Sequence, residues 1–217
     1  MKYNSVTRVA GPAVEPLTVA EAKLHLRVDI SDDDAYIGTL ITAAREWVEN
    51  YLDRTLITTQ LILRAAEFPT EELLYRHGDH SGLGVTGKLD LPRPPMIASG
   101  TATAVVITYT LADTTTATLS TALYRVDRTS TPGNVAPIIN GTWPSDVIED
   151  ANAVAVTYYA GYGPTSASVP ATIRHACLML VGHWYDRRSA VLTGTISKPI
   201  EFAVESLLAS NNWGQYR

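Results

Sequence analysis

Residues 32–52 read DDDAYIGTLITAAREWVENYL, and this stretch decides the helical part of the fold. Counted from Ile37, apolar side chains recur after 3, 4, 7, 11, 14 and 15 residues, which is the spacing of one face of an α-helix. The aspartates at its start suit a helix N-terminus, because carboxylates can cap unpaired N–H groups and favour the positive end of the helix dipole. Four other polar residues fall outside the apolar stripe and are expected in solvent: Arg45, Glu46, Glu49 and Asn50.

Further helical patterns precede and follow this stretch. Thr18 and Glu21 form a capping box, which predicts a helix that runs to about Leu26. Another helix is predicted after Pro170, since proline is favoured in a first helical turn, and a last one after Pro199. Amphipathic helices of this length gain most of their stability from packing. We therefore expect residues of the first and last helices to share one core: Ile37, Ile41, Ala44, Val48, Ile173, Cys177, Val181 and Leu207.

Between the helices the hydrophobic period changes to two. Leu61, Leu63 and Ala65 occupy alternate positions, and other segments are rich in β-branched and aromatic residues, as in strands. The predicted fold is α+β, with a helical bundle formed by the N- and C-terminal helices and a β-rich insert between them. We divide the chain into an N-terminal arm (1–16), a helical domain (17–56 with 165–210), the insert (57–164) and a C-terminal tail (211–217).

Composition favours a packed, acidic protein. Hydrophobic residues make up 46% and charged residues 18% of the chain, and the formal net charge is −5, so that a core is expected and strong binding to phosphates is not. A single cysteine excludes an internal disulfide and is typical of a reducing compartment. The first residues lack the apolar run of a signal peptide, and no stretch approaches the length of a membrane span.

No pattern of residues predicts catalysis, a cofactor or a metal site. His77 and His80 flank Asp79 in a glycine-rich stretch, but no third or fourth ligand follows at a recognisable spacing. His175 and Cys177 lie two residues apart on a predicted helix and face different directions, whereas a catalytic Cys–His pair needs contact and a third group that orients it. We interpret Cys177 as a buried structural residue.

Several segments, in order along nearly the whole chain, resemble tailed-phage head–tail connector (adaptor) proteins. Each is weakly specific alone, and their ordered combination carries the resemblance. The matching segments are 16–28 (PLTVAEAKLHLRV), the acidic turn before Ile37, 43–51 (AAREWVENY), 91–95 (LPRPP), 158–163 (YYAGYG), 169–174 (VPATIR) and 182–188 (GHWYDRR). The threonine- and alanine-rich stretch at 101–122 and the glycine-rich stretch at 76–87 depart from the family pattern.

The resemblance implies a structural, non-catalytic subunit in the head–tail joint of a phage or of a phage-like gene-transfer particle, assembled in the bacterial cytoplasm. It implies a homo-oligomeric ring of twelve copies under the portal protein, a tail terminator or stopper protein as second partner, and DNA that passes through without specific binding. An acidic ring fits such a conduit, because a basic lumen would attract the DNA backbone.

Two groups of residues are candidates for contacts with partners. Trp213, Tyr216 and Arg217 lie in the tail after the last helical pattern, and these residue types often anchor interfaces. The family resemblance, in which chain termini help to bind the portal, favours portal docking by this tail over a frayed terminus. Arg187 and Arg188 are suited to an ion pair in an interface between subunits. The alternative function is a β-rich carbohydrate- or protein-binding module of a tail or baseplate component.

Overall fold

The computed structural model describes residues 4–69, 87–97, 104–187 and 200–209, the last segment with side chains from 203 onwards. The helices of these residues are α1 (Val19–Leu26), α2 (Asp34–Leu52), α3 (Ala171–Asp186) and α4 (Ile200–Ala209). The strands are β1 (Ser5–Arg8), β2 (Thr59–Ala65), β3 (Leu89–Leu91), β4 (Val106–Thr110), β5 (Thr116–Thr118), β6 (Tyr124–Asp127), β7 (Gly133–Pro137) and β8 (Val154–Ala160). The predicted α+β class is confirmed.

Two compact units divide the chain. The β unit comprises Met1–Gly11 and Thr59–Ala160, and the helical unit comprises Pro12–Thr58 and Gly161–Arg217. The β unit contains a five-stranded sheet in the order β1-β2-β8-β4-β5 and a three-stranded sheet in the order β3-β7-β6. All neighbouring strands in both sheets pair antiparallel.

The core of the β unit follows the alternation seen in the sequence. Leu61, Leu63 and Ala65 are buried on β2, as predicted, while the residues between them are half-buried. Strand β1 was not predicted: it lies within the expected N-terminal arm and pairs with β2, with Ser5 opposite Arg64. A strand of four residues is too short for its own alternation to reveal it, because its stability comes from the neighbour with which it pairs.

The core of the helical unit contains buried residues from all four helices. Ala22 comes from α1, the predicted stripe from α2, Ile173 and its neighbours from α3, and Val204 and Leu208 from α4. All but one of the eight residues that were expected to share a core lie in this buried cluster. Leu207 is half-buried at its margin, because the α4 face that points inward is the one that carries Val204 and Leu208.

The start of α1 is confirmed in atomic detail. The Thr18 hydroxyl accepts a hydrogen bond from the Glu21 N–H at 3.1 Å, and the Glu21 carboxylate accepts one from the Thr18 N–H at 2.8 Å. The predicted capping of α2 is wrong, because its N-cap residue, Asp33, makes no side-chain capping bond. Asp33 instead accepts a hydrogen bond from the Tyr185 hydroxyl at 2.5 Å, and Asp34 forms an ion pair with Lys23 at 2.8 Å.

The expected solvent face of α2 is wrong at two positions. Glu46 and Asn50 are exposed, as predicted, but Arg45 and Glu49 retain only 3% and 1% of their accessible surface. Arg45 donates to Glu49 at 2.9 Å and to Glu15 at 2.8 Å, so that the buried charges neutralise one another. The periodicity of α2 alone could not reveal this, since Glu15 lies far away in sequence and supplies part of the compensation.

Candidate functional site

The outer side of α1 carries an unusually exposed apolar residue. Leu24 is 83% exposed, the highest value among the large apolar side chains of the described residues, and Ile30 in the loop before α2 is 59% exposed. Leu24 lies on the rim of a shallow depression of about 680 Å³. We call the surface that lines this depression the α1 patch: Val19, Ala20, Lys23, Leu24, Arg27, Val28, Asp29 and Asp34.

Polar contacts fix α1 against its neighbours in the helical unit. The Lys23–Asp34 ion pair joins it to the start of α2. Arg174 on α3 donates to the Pro16 carbonyl at 3.2 Å and also to the Glu21 carboxylate. The pKa of Glu21 lies below its usual range, chiefly because the Thr18 backbone N–H donates to its carboxylate. Desolvation raises this pKa, but the Thr18 hydroxyl and Arg174 lower it further. The α1 patch is therefore presented by a helix with contacts on two sides.

This patch was missed in the sequence, although one signal was available. The eight residues of α1 include Val19, Ala20, Ala22, Leu24 and Leu26, which is more apolar surface than one face of a two-turn helix can bury. Only Ala22 is fully buried. An excess of apolar residues on a short, well-capped helix thus indicates that some of them face away from the core. On α1 the large apolar side chain that faces outward is Leu24.

The structure places only part of the predicted docking residues. Arg187 is exposed directly after α3, where its backbone N–H donates to the His183 carbonyl at 3.1 Å. Arg188, Trp213, Tyr216 and Arg217 lie outside the described residues, as do His77, Asp79 and His80. Portal docking by the tail and an interface role for the arginine pair therefore stay predictions.

Cys177 is a core residue. It is fully buried on α3, and burial, followed by the negative charges of Glu49 and Glu15, raises the pKa of its thiol to about 12. Since the thiolate is the reactive form of cysteine, this thiol is protonated at neutral pH and unreactive. Within the described parts of the chain, no cluster of three or more histidine, cysteine or acidic residues is arranged to hold a metal ion. No helix in those parts is long and apolar enough to cross a membrane.

Comparison with protein families identifies the class of protein to which the N-terminal part is related. Residues 16–76 match the family described as phage gp6-like head-tail connector protein. This range includes α1, the α1 patch and all of α2. The resemblance to head–tail connector proteins that the sequence predicts is thereby confirmed. No curated protein matches the sequence.

Solved structures extend the likeness of fold to nearly the whole chain. A chain in the virion of a native gene transfer agent (GTA) particle is 20% identical, with a TM-score of 0.69 over 98% of this chain and 96% of that one. A chain in the neck of an empty GTA particle, computed with C6 symmetry, is 20% identical with a TM-score of 0.68 over 95% and 94%. A chain in the neck of a native GTA particle, computed with C12 symmetry, is 19% identical with a TM-score of 0.67 over 95% and 93%. At these identities the likeness establishes the fold.

Proposed function

We propose that this protein is a structural head–tail connector (adaptor) subunit in the neck of a tailed phage or phage-like gene-transfer particle. The observation that carries the proposal is the match of residues 16–76 to the connector family, in the segment that presents the α1 patch. The fold that the chain shares with components of GTA particles, including their necks, supports the same location. A connecting role requires contact surfaces and no catalysis.

The subunit is proposed to form a ring of twelve copies. The C6 and C12 symmetries of the GTA necks support this arrangement for a chain of the same fold. A ring closes when one face of each subunit meets a different face of the next with the correct rotation. We assign ring formation to the helical unit, with the N- and C-terminal helices forming one bundle, and place the α1 patch and Arg187–Arg188 at contacts between subunits.

The ring is proposed to join two further proteins. The portal protein lies on the head side and a tail terminator or stopper protein on the tail side, and DNA passes through the ring without specific binding. The net charge of −5 supports passage of DNA, since an acidic conduit gains nothing from the release of counterions from phosphates. Assembly in the bacterial cytoplasm follows from this role.

Leu24→Lys is expected to break the ring. A leucine that is 83% exposed in the single chain contributes to stability only when a neighbouring subunit covers it. A cost of about 2 kcal/mol per interface, the lower limit for an interface hot spot, would weaken each contact by a factor of about 30, and the lysine charge would also have to lose its hydration on burial. Light scattering and native mass spectrometry should show large oligomers for the wild type and monomers or fragments of rings for the variant.

Leu123→Lys is the matched control for this experiment. Leu123 is also exposed, at 48%, but it belongs to the β unit and is not one of the residues of the α1 patch. The same chemical change there should leave the mass distribution as in the wild type. If Leu24→Lys forms rings of unchanged mass, the α1 patch is not part of the interface between subunits. A wild type that stays monomeric in solution and on portal-bearing heads would contradict the proposed function itself.

Deletion of residues 211–217 is expected to abolish attachment to portal-bearing heads while leaving the protein folded. The deleted residues include Trp213, Tyr216 and Arg217, which we propose as the portal-docking group. Co-sedimentation of the truncated protein with purified heads measures the effect, and the melting temperature checks the fold. A triple replacement of these three residues by alanine keeps the chain length and should show the same loss. Normal attachment of either variant would place the portal contact elsewhere.

A further inference from the structure

Helix α3 supports α1 at both of its ends within the helical unit. At the start of α1, Arg174 of α3 donates a hydrogen bond to the Glu21 carboxylate. At the end of α1, His25 and Leu26 lie against Gly182 of α3. Arg174 and Gly182 are separated by two turns of α3, about 12 Å, which matches the length of the eight residues of α1. The two helices therefore lie side by side over the whole of α1.

The glycine at position 182 permits the close approach of the two helices. An added Cβ would lie 3.2 Å from Nε2 of His25 and 3.9 Å from Cδ2 of Leu26. The first distance is shorter than the roughly 3.5–4.0 Å at which non-bonded carbon atoms pack. Glycine is disfavoured inside a helix, and Gly182 lies inside α3. The space that α1 requires accounts for its presence there.

Leu24 projects from the side of α1 that faces away from the core. Ala22 is fully buried, and Leu24 follows it after two residues, about 200° around the helix axis. Leu24 is accordingly 83% exposed. Because the side chains of one short helix move together, any displacement of α1 from α3 displaces Leu24 as well. The contacts with α3 thus determine where the α1 patch lies.

Helix α1 depends on its neighbours for its position. Its eight residues are fewer than the roughly 12–15 that an isolated helix needs, and Ala22 is its only fully buried residue. The ion pair of Lys23 with Asp34 is partly exposed, with 44% exposure of the Asp34 side chain, and exposed pairs stabilise weakly. Changes at the contacts with α3 should therefore displace α1 without unfolding the remaining core of the helical unit.

We propose that Arg174 and Gly182 are positioning residues for the contact between subunits. They hold α1 on α3 in the position from which Leu24 packs on a second copy of this chain. This inference rests on the proposed function, because it takes the α1 patch as part of the ring interface. Every interface of a closed ring must repeat the same rotation. A displaced α1 patch therefore prevents closure of the ring even when the chain is folded.

Gly182→Leu should abolish closed rings while the chain stays folded. The leucine requires the space that His25 occupies, and so moves the end of α1 away from α3. Gly38→Leu makes the same change inside α2, where nothing lies within 4 Å of an added Cβ, and should form rings of wild-type mass. Native mass spectrometry measures closure, and melting curves check the fold. Equal masses for the two variants would overturn the proposal, whether both close or neither does.

Removal of the imidazole should reverse the effect of the leucine. In Gly182→Leu with His25→Ala, the leucine occupies the space that the imidazole leaves, and closed rings should return. His25→Ala alone should form rings as the wild type does, because His25 is exposed and is not one of the residues of the α1 patch. A general loss of packing would not be reversed by a second truncation. Failure of the double variant to close would contradict the assigned contact.

Arg174→Met tests the support at the start of α1 and stays informative if Gly182→Leu does not fold. It removes the hydrogen bonds to Glu21 and to the Pro16 carbonyl. The protein concentration needed for half-maximal ring formation should rise about tenfold, the scale of one charge-assisted hydrogen bond. Amide hydrogen exchange should become faster in α1 and stay unchanged in α2. Arg174→Lys should recover part of the loss, because it restores the charge without the planar fork.

The failure of this inference is distinguishable from the failure of the proposed function. If Arg174→Met forms rings as the wild type does although exchange in α1 is faster, the position of α1 does not control ring closure. That result would overturn the positioning role and leave the connector proposal in place. A wild type that forms no rings, in solution or on portal-bearing heads, contradicts the proposed function instead.

Discussion

Replacement of Arg45 by methionine is expected to lower the free energy of unfolding by about 3–5 kcal/mol. Glu49 is 1% exposed, and its carboxylate receives hydrogen bonds from the Arg45 guanidinium at 2.9 Å and from the Leu56 N–H at 2.9 Å. Glu15 depends on the same guanidinium at 2.8 Å. Removal of the cation would leave a buried carboxylate without its opposite charge, which is far less favourable than the intact pair.

The carboxylates of Glu15 and Glu49 keep Arg45 in its charged form although it is buried. Burial disfavours the charged guanidinium, but hydrogen bonds and Coulombic attraction, first from Glu15 and then from Glu49, outweigh it and raise the pKa of Arg45 above its usual range. The cation is therefore present at every pH at which the protein folds. The network joins the segment before α1, the middle of α2 and the chain after α2 within the helical unit.

Thermal unfolding measures the effect of Arg45→Met, with an expected fall in melting temperature of roughly 10 °C for a chain of this size. Glu46→Ala is the matched control, because Glu46 contacts the same guanidinium at 3.3 Å but is 59% exposed. An exposed pair contributes about 0–1 kcal/mol. The double variant Arg45→Met with Glu49→Leu should recover much of the loss, since apolar residues of similar volume often replace a buried pair without cost. Equal melting of Arg45→Met and Glu46→Ala would contradict the network.

The parts of the fold that could be predicted are those in which a hydrophobic pattern repeats along a single helix or strand. The apolar stripe of α2 and the alternation on β2 each extend over several turns or residues, so that local periodicity determines which face is buried. The position of a charge cannot be predicted in this way. Arg45 and Glu46 are both charged and adjacent in sequence, yet Arg45 is buried with Glu49, where the distant Glu15 and the Leu56 N–H help to compensate the buried charges.

The proposed contact surface, the α1 patch, was less predictable than the core. The sequence of α1 has more apolar residues than one face can bury, but only the packed structure shows that Leu24 is the side chain that points outward. The family resemblance points to a connecting role and to the chain termini as portal contacts, but it does not indicate the α1 patch.

Val48→Asp is expected to prevent folding of the helical unit. Val48 is fully buried on α2 in the same core as Ile173 and Cys177. This core already raises the pKa of the Cys177 thiol to about 12, largely through burial, so that it strongly disfavours an added negative charge. An unpaired carboxylate there should cost more than about 4 kcal/mol, a large part of the total stability of about 5–15 kcal/mol that is typical of a domain.

The expected pH dependence distinguishes buried charge from simple loss of packing. In the folded state the introduced carboxyl should have a pKa raised above its value of about 3.9 in the unfolded chain. The protonated form is then tolerated better, and the destabilisation grows as the pH rises above that value. Circular dichroism of Val48→Asp at pH 5 and pH 7 should therefore show a larger difference from wild type at pH 7.

Ala43→Asp is the control, because it adds the same group at an exposed position of α2. Only the lower helix propensity of aspartate, about 0.7 kcal/mol, is expected to matter there. Equal solubility and melting of the two variants would mean that the assigned inner face of α2 is wrong.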